Sequence, residues 1–494
     1  MKFVLTPTYR NWFLLGLLVQ LIAAWFSVGY HHPDEHFQVM EFCNYKLGYS
    51  PVTDLAWEFS TKCRPALQPF LAFCLCRGLD KMGMYDPFMV AFLLRLGMGL
   101  LTWLVTYRIL KLLLPEMNTK KGKQALVWCS MFLWFVPYIG VRFSAENISG
   151  ICFFLAVSFL LDLNDFVLKK QVYRLIIAGL LFGVAVFVRV QMAMGILGLA
   201  AWILYAQKWP LRNWFLIIAS GITAIALMVC IDHWLYGAWV FSPLNYFNVN
   251  IIQHMAAKFG VEPWWYYFYK YLDIGVPPMS WVLLPLFFAG IWHKPKHVLT
   301  WVAIAFITGH CLVSHKEIRF LFPISLAFIF LACSGYDALM QQYPDKRFYR
   351  WAIPLFVTFN SIMLVVKIFT PAHEAFKYYK AIYSYYGNHK SILVTSEQTA
   401  YTLVGLPVNF YKPKDMEEWV VGSPLSLSYV MKNANGSPVL FLSHQMTPDS
   451  LLRGYKTEKI YCILPDWMSH FNFTDWQSRS YIWSIYRIYP PKQE

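Results

Sequence analysis

What this 494-residue sequence has least of is charge: Asp, Glu, Lys and Arg make up 14% of it, against roughly 25% in an ordinary soluble domain. The length alone would allow two or more soluble domains, and this composition argues against them. Acid is the scarcer sign, with 27 Asp and Glu against 42 Lys and Arg and a net charge of +15. No basic helix, RNA-recognition motif or zinc spacing accompanies that excess, so no nucleic-acid partner is expected. There is no Gly-x-x-x-x-Gly-Lys loop and no Gly-x-Gly-x-x-Gly, so handling of a soluble nucleotide is unsupported. Internal repeats, low-complexity tracts and long linkers are also missing. The ten cysteines show no paired metal spacing, and several sit inside apolar segments as small hydrophobes. Cys43 and Cys63 are candidates for a disulfide if their loop faces an oxidising compartment.

What is abundant is apolar. Hydrophobic residues make up 58% of the chain, with 21 Trp and 31 Tyr, rings that collect at the two water-facing boundaries of a membrane. Apolar segments near 11–29, 87–110, 124–141, 147–163, 173–188, 192–207, 213–231, 279–292, 297–313, 319–336 and 351–369 read as about eleven transmembrane helices. The first has no small-residue cleavage site after it and is expected to be retained. The stretch 65–79 is apolar but short and carries Pro65 and Pro69, so it reads as a helix on the interface. With the N-terminus inside, the inner segments gather Lys2, Arg10, Arg108, Lys111, Lys120, Lys121, Lys123, Lys169, Lys170, Lys294, Lys296 and Lys346, at about three times the outer density of Lys and Arg. After residue 370 the pattern turns soluble, and 391–396 (SILVTS) and 438–443 (PVLFLS) read as buried strands. The expected architecture is an α-helical polytopic membrane domain, 1–370, with a long first outer loop, 30–86. A small outer-side α/β C-terminal domain, 371–494, follows.

Ionisable residues at span ends are informative, because each is costly in hydrocarbon unless it faces protein or water. On this topology they gather outside: His31 to His36 with Gln38, Glu58 with Arg64, Arg142 with Glu146, Arg189 with Gln191, Asp232 with His233, and His315, Lys316, Glu317 and Arg319. The inner loops read as plain basic tethers. Asp34 and Glu35 can serve as a helix cap with first-turn charges, or as a base beside a neighbour that orients a hydroxyl. Cations from His315, Lys316 and Arg319 suit a phosphate group and favour the second reading. No cofactor is expected, and a metal held by His31, His32, Asp34, His36 and His315 stays open on ligand type alone.

The motif His32-Pro33-Asp34-Glu35-His36-Phe37-Gln38 resembles the first-loop signature of family 22 glycosyltransferases, the GT-C-fold mannosyltransferases of GPI-anchor and N-glycan assembly. Trp57-Glu58-Phe59 with Arg64-Pro65, Arg189 in Phe187-Val188-Arg189-Val190-Gln191, Asp232-His233-Trp234-Leu235-Tyr236-Gly237 with Pro243-Leu244-Asn245-Tyr246, Pro263-Trp264-Trp265-Tyr266-Tyr267 and His315-Lys316-Glu317-Ile318-Arg319 follow in the family's order. The loop departs from the family in Leu55-Ala56 before Trp57-Glu58 and in Lys62-Cys63 before Arg64, which bears on the acceptor more than on the chemistry. The resemblance spans about residues 10–370 and implies an inverting transfer of a sugar, most simply mannose. The implied donor is a polyprenyl-phosphate sugar and the implied acceptor a lipid-linked glycan, both in contact with membrane lipid. It implies catalytic roles for Asp34 and Glu35 and substrate-binding roles for His36, Gln38, Glu58, Arg64, Arg189, His315, Lys316, Glu317 and Arg319, without a metal. The rival class is a transporter or flippase for a lipid-linked glycan, though neither a repeat nor midplane helix breaks are evident. The membrane is expected to be the plasma membrane in a bacterium or the endoplasmic reticulum in a eukaryote; the sequence shows no retrieval signal at 490–494. Asn147, Asn435 and Asn472 stand in glycosylation sequons, a pattern short enough to recur by chance.

Overall fold

A computed structural model describes residues 7–344, 347–396, 398–434, 436–446, 450–477 and 479–489. Lys2, Lys346, Asn435 and 490–494 fall outside them. The chain forms two compact units, one of Met1–Ser27, Trp57–Leu75 and Val90–Pro371, the other of Val28–Ala56, Cys76–Met89 and Ala372–Glu494.

The first unit is helical. Among the described residues six of its helices are long and apolar enough to cross a membrane: Tyr9–Phe26, Pro87–Glu116, Leu168–Val188, Leu211–Tyr236, Ile318–Gln342 and Tyr349–Phe369. Ala145–Leu161, Met192–Gln207, Met279–His293 and Val298–Leu312 are shorter apolar helices. Leu211–Tyr236 exposes Leu211, Phe215, Ile218 and Ile222 along one stripe and buries Asn213, Ser220 and Asp232 on the other. That is the reverse of a soluble amphipathic helix. Close packing uses small residues: a Cβ at Gly335, on Ser325–Gln342, would lie 2.1 Å from Leu286 O on Met279–His293.

The segment 124–141, read from sequence as one span, is broken into Lys120–Phe132 and Phe135–Gly140, with Leu133 at ψ 131°. Asn360, fully buried on Tyr349–Phe369, bridges the break. Its Oδ1 accepts from Trp134 N (3.0 Å) and its Nδ2 donates to Phe132 O (2.6 Å). Each backbone group left unpaired there would cost about 1–3 kcal/mol.

Among its described residues the second unit holds seven strands: β1 Ile392–Thr395, β2 Thr402–Leu403, β3 Leu406–Pro407, β4 Glu418–Val420, β5 Val439–Ser443, β6 Lys456–Cys462 and β7 Ser484–Tyr489. Five make one sheet in the order β4-β1-β5-β7-β6, parallel across β4-β1-β5 and antiparallel beyond. The two apolar runs read from sequence are its central strands β1 and β5, with Val394 paired to Phe441 in the sheet's core. Helix Pro424–Asn433, opened by a Ser423–Ser426 capping box, carries the chain from β4 to β5.

The first loop is divided between the units for a bonding reason. Within the first unit, Arg64 O and Ala66 N are held by Tyr236 and Asp232. Within the second, Val28 O accepts from Ala372 N and His373 N. The ten cysteines are free thiols, so Cys43 and Cys63 form no disulfide; the neighbour of Cys43 is Cys76, at 3.9 Å between sulfurs. Asn147 is buried and spends its amide on Gly140 O and Arg142 O, which makes it a structural tie and not an exposed acceptor for a glycan.

Candidate active site

In the first unit, Ser144 caps helix Ala145–Leu161 by accepting from Asn147 N, which places Glu146 in the first turn. The chain returns through Leu163–Asp165 into Leu168–Val188, and the two helices pack along each other. The start of one and the end of the other therefore meet. Glu146 Oε1 lies 2.9 Å from Arg189 Nη1 and 3.2 Å from Arg319 Nη1. Arg319 also forks onto Glu317, Nε to Oε2 at 2.5 Å and Nη2 to Oε1 at 3.0 Å. The guanidinium carbons of Arg189 and Arg319 stand 4.9 and 5.3 Å from the centre of the Phe320 ring.

His315 Nε2 is 3.0 Å from Glu317 Oε1, and its Nδ1 is 3.1 Å from Gly260 O. Lys316 is buried with its ammonium donating to Val313 O (2.5 Å) and Glu262 O (2.8 Å), and desolvation lowers its pKa. The cluster thus gathers the cations Arg189, Lys316 and Arg319 around the carboxylates of Glu146 and Glu317, and the charge of Glu262 also acts on Lys316. Arg189 is 6% exposed, and its Nε and Nη2 have no hydrogen-bond partner among the described residues. Buried donors in that state are the exception in folded proteins.

A second cation of the same unit is held from behind. Arg64 Nη2 is 3.5 Å from Glu58 Oε1, and its guanidinium lies 5.4 Å from the Tyr246 ring centre. Tyr236 OH donates to Arg64 O (2.6 Å), Asn245 Nδ2 donates to Lys62 O (3.1 Å), and the fully buried Asp232 accepts from Ala66 N (2.8 Å) and Ser242 N (3.3 Å). The Asp232, Tyr236 and Asn245 motifs are the scaffold of the Arg64 loop, a role that their spacing in the sequence does not reveal.

In the second unit the acidic motif forms a single turn, Asp34–Phe37, after Pro33. Asp34 sits inside the turn, so its carboxylate is not a helix cap, and its backbone N–H donates to His32 Nδ1 (3.3 Å). Asp34 Oδ1 lies 3.3 Å from His32 Nδ1, with the carboxylate side chain 24% exposed. Glu35 is half-buried and Gln38 is buried. His36, expected to touch substrate, is buried instead, its Nε2 2.9 Å from Glu41 Oε1. Among the described residues no group of three His, Cys, Asp or Glu is arranged to hold a metal.

Glu41 and Glu146 were not among the expected site residues. Each is a lone acid at the start of an apolar helical run, and the signal that marks them is burial at such a position.

A bundle of apolar helices with cationic loops at its span ends, in a chain that also folds a small mixed-sheet unit, is the architecture of an integral membrane protein. The fold has a solved counterpart in ArnT from Cupriavidus metallidurans bound to undecaprenyl phosphate, with a TM-score of 0.53 over 98% of both chains at 11% identity. The model of the Alg9-like mannosyltransferase family matches residues 11–398, and the chain belongs to that family. It is 25% identical over 358 residues to GPI mannosyltransferase 3 of Yarrowia lipolytica, covering 70% of this chain and 64% of the relative. It is 24% identical over 313 residues to GPI alpha-1,2-mannosyltransferase 3 of Mus musculus, covering 62% and 54%. The chain thus spans somewhat less than two thirds of the length of these relatives.

Proposed function

We propose that this chain is an inverting glycosyltransferase that moves mannose from a polyprenyl-phosphate donor to a glycan or glycolipid acceptor on the outer or lumenal face of its membrane. The membrane part comprises about eleven spans in 1–370, and 371–494 lies on the same outer side. Family membership and the charge asymmetry of the loops support this arrangement.

The observation that carries the reading is Arg189, a buried guanidinium whose Nε and Nη2 have no hydrogen-bond partner among the described residues. Such a group calls for an anion, and a guanidinium fork suits phosphate oxygens. In the reaction the acceptor oxygen bonds to the anomeric carbon while the bond from that carbon to the phosphate oxygen breaks. The electron pair leaves on the lipid phosphate, whose growing charge Arg189, Lys316 and Arg319, with Arg64 and His315, offset. Glu317 and Glu146 hold the arginines in place. Asp34 takes the hydroxyl proton and Glu35 orients the acceptor, an assistance worth about 10²- to 10⁴-fold. Glu58 and Gln38 contact sugar hydroxyls. The scheme needs one base and no enzyme nucleophile.

The test is transfer by the purified protein from a defined polyprenyl-phosphate mannose to a lipid-linked mannosyl glycan. The Asp34→Asn variant should lose about 10²- to 10⁴-fold in turnover. Wild-type turnover in a folded variant removes the base assignment. Passage of a lipid-linked glycan across vesicles without any transfer would replace the reading by a flippase.

A further inference from the structure

We infer that Glu41 is a positioning residue that locks the acidic turn Asp34–Phe37 onto the Asn409–Tyr411 stretch of the same unit, so that the C-terminal part of the chain sets the pose of the base. This inference rests on the reading of Asp34 as that base. Glu41 is 1% exposed. Its Oε1 accepts from Phe410 N (3.0 Å) and its Oε2 accepts from the Ser50 hydroxyl (3.2 Å), which in turn accepts from Asn44 Nδ2 (2.7 Å). The same Oε1 stands 2.9 Å from His36 Nε2.

The His36 ring is stacked between Tyr30 (6.2 Å, 25°) and Tyr411 (5.6 Å, 21°), with the edge of Phe376 at 5.7 Å. Asn409 Nδ2 adds a bond to Asp54 Oδ2 (2.8 Å). One buried carboxylate therefore joins three parts of the second unit: the turn that carries Asp34, through His36; the chain after its helix, through Ser50; and residue 410, through a backbone N–H. The acceptor of the Phe410 N–H is thus a side chain 369 residues away in sequence. A carboxylate placed there without those bonds would be a buried, unpaired charge, which folded chains rarely keep. Its retention in a buried, fully bonded place makes sense if it fixes geometry, because a reacting group displaced by about 1 Å can lose on the order of 100-fold in rate.

The experiment compares Glu41→Ala, Glu41→Gln and Asn409→Ala with wild type and Asp34→Asn in the mannosyl-transfer assay, with size-exclusion profiles and thermal midpoints recorded on the same preparations. Glu41→Ala should lower kcat about 100-fold with the donor KM within about twofold, since the donor's cations lie in the first unit. Glu41→Gln, which keeps an acceptor for Phe410 N–H, should recover at least about tenfold of that loss, and Asn409→Ala should lower kcat by about threefold. A kcat for Glu41→Ala within about threefold of wild type, or equal losses in the Ala and Gln variants, overturns the inference. So does a loss accounted for wholly by less folded protein. If Glu41→Ala does not fold, the same criteria are read from Glu41→Gln and Asn409→Ala. An active Asp34→Asn overturns the base reading and this inference together, whereas an inactive Asp34→Asn beside a fully active Glu41→Ala overturns this inference alone.

Discussion

Two carboxylates of the first unit gather cations around a phenylalanine, and they end in opposite states. Glu116 meets Lys294 (3.6 Å) and His297 (3.1 Å), both beside the ring of Phe330. Each nitrogen there has a partner: Lys294 Nζ donates to Glu116 O, His297 Nε2 faces the Glu116 carboxylate, and His297 Nδ1 accepts from Leu299 N to start helix Val298–Leu312. Glu116 is about a third exposed, and one permanent cation balances one carboxylate. Glu146 meets Arg189 and Arg319 around Phe320, is almost fully buried, and leaves Nε and Nη2 of Arg189 without a partner among the described residues. The first arrangement ties helix ends together. The second keeps unmet donors in a dry place, and those donors, more than the residue types, separate a binding cluster from a tether.

The largest test of this contrast is Arg189→Ala. It should cut kcat/KM for the lipid-phosphate donor by about 100-fold, as removal of one charge-stabilising donor does in other active sites, with the protein still folded because Glu146 keeps Arg319. Steady-state kinetics at varied donor concentration measure it, and an unchanged kcat/KM would reduce the Glu146 cluster to a tether like the other. A smaller effect concerns pH. Burial lowers the Lys316 pKa, so its charge is present at neutral pH and is lost on the alkaline side sooner than that of an exposed lysine. Donor KM should therefore rise a few-fold as pH climbs toward that depressed value, and Lys316→Arg, which stays charged, should push the rise to higher pH. A pH profile identical in the Arg variant would remove Lys316 from donor binding. Smallest of all, Glu116→Gln should leave kcat/KM within about twofold and lower stability by no more than about 1 kcal/mol, read from activity and the thermal midpoint. A large loss of activity there would erase the distinction between the clusters.

Much of this was legible in the chain because it is written in local pattern. The apolar segments mark ten of the helices, and SILVTS and PVLFLS mark the two central strands. The grouping of Arg189, Lys316, Glu317 and Arg319 follows from charge placed at span ends. What the sequence hides is pairing over distance. Arg142 stands four residues before Glu146, yet Glu146 takes Arg189 and Arg319 while Arg142 reaches Ser27. His36 looks like a substrate ligand until its ring is found between two tyrosines, one of them 375 positions later in number, and Glu41 looks like a surface acid until Phe410 is found against it. Local periodicity says which face a residue occupies and nothing about which distant segment will cover it.

The break at Leu133 and Trp134 has a consequence for how the protein is made. Its two loose backbone groups find no partner in their own segment and wait for Asn360, 226 residues further along. Without Tyr349–Phe369 the segment from Lys120 to Gly140 lacks the partner of Trp134 N and Phe132 O, and apolar surroundings would supply no other. Tyr349–Phe369 thus completes a segment made well before it. A chain truncated before Asn360 would enter the membrane with an early segment still unfinished.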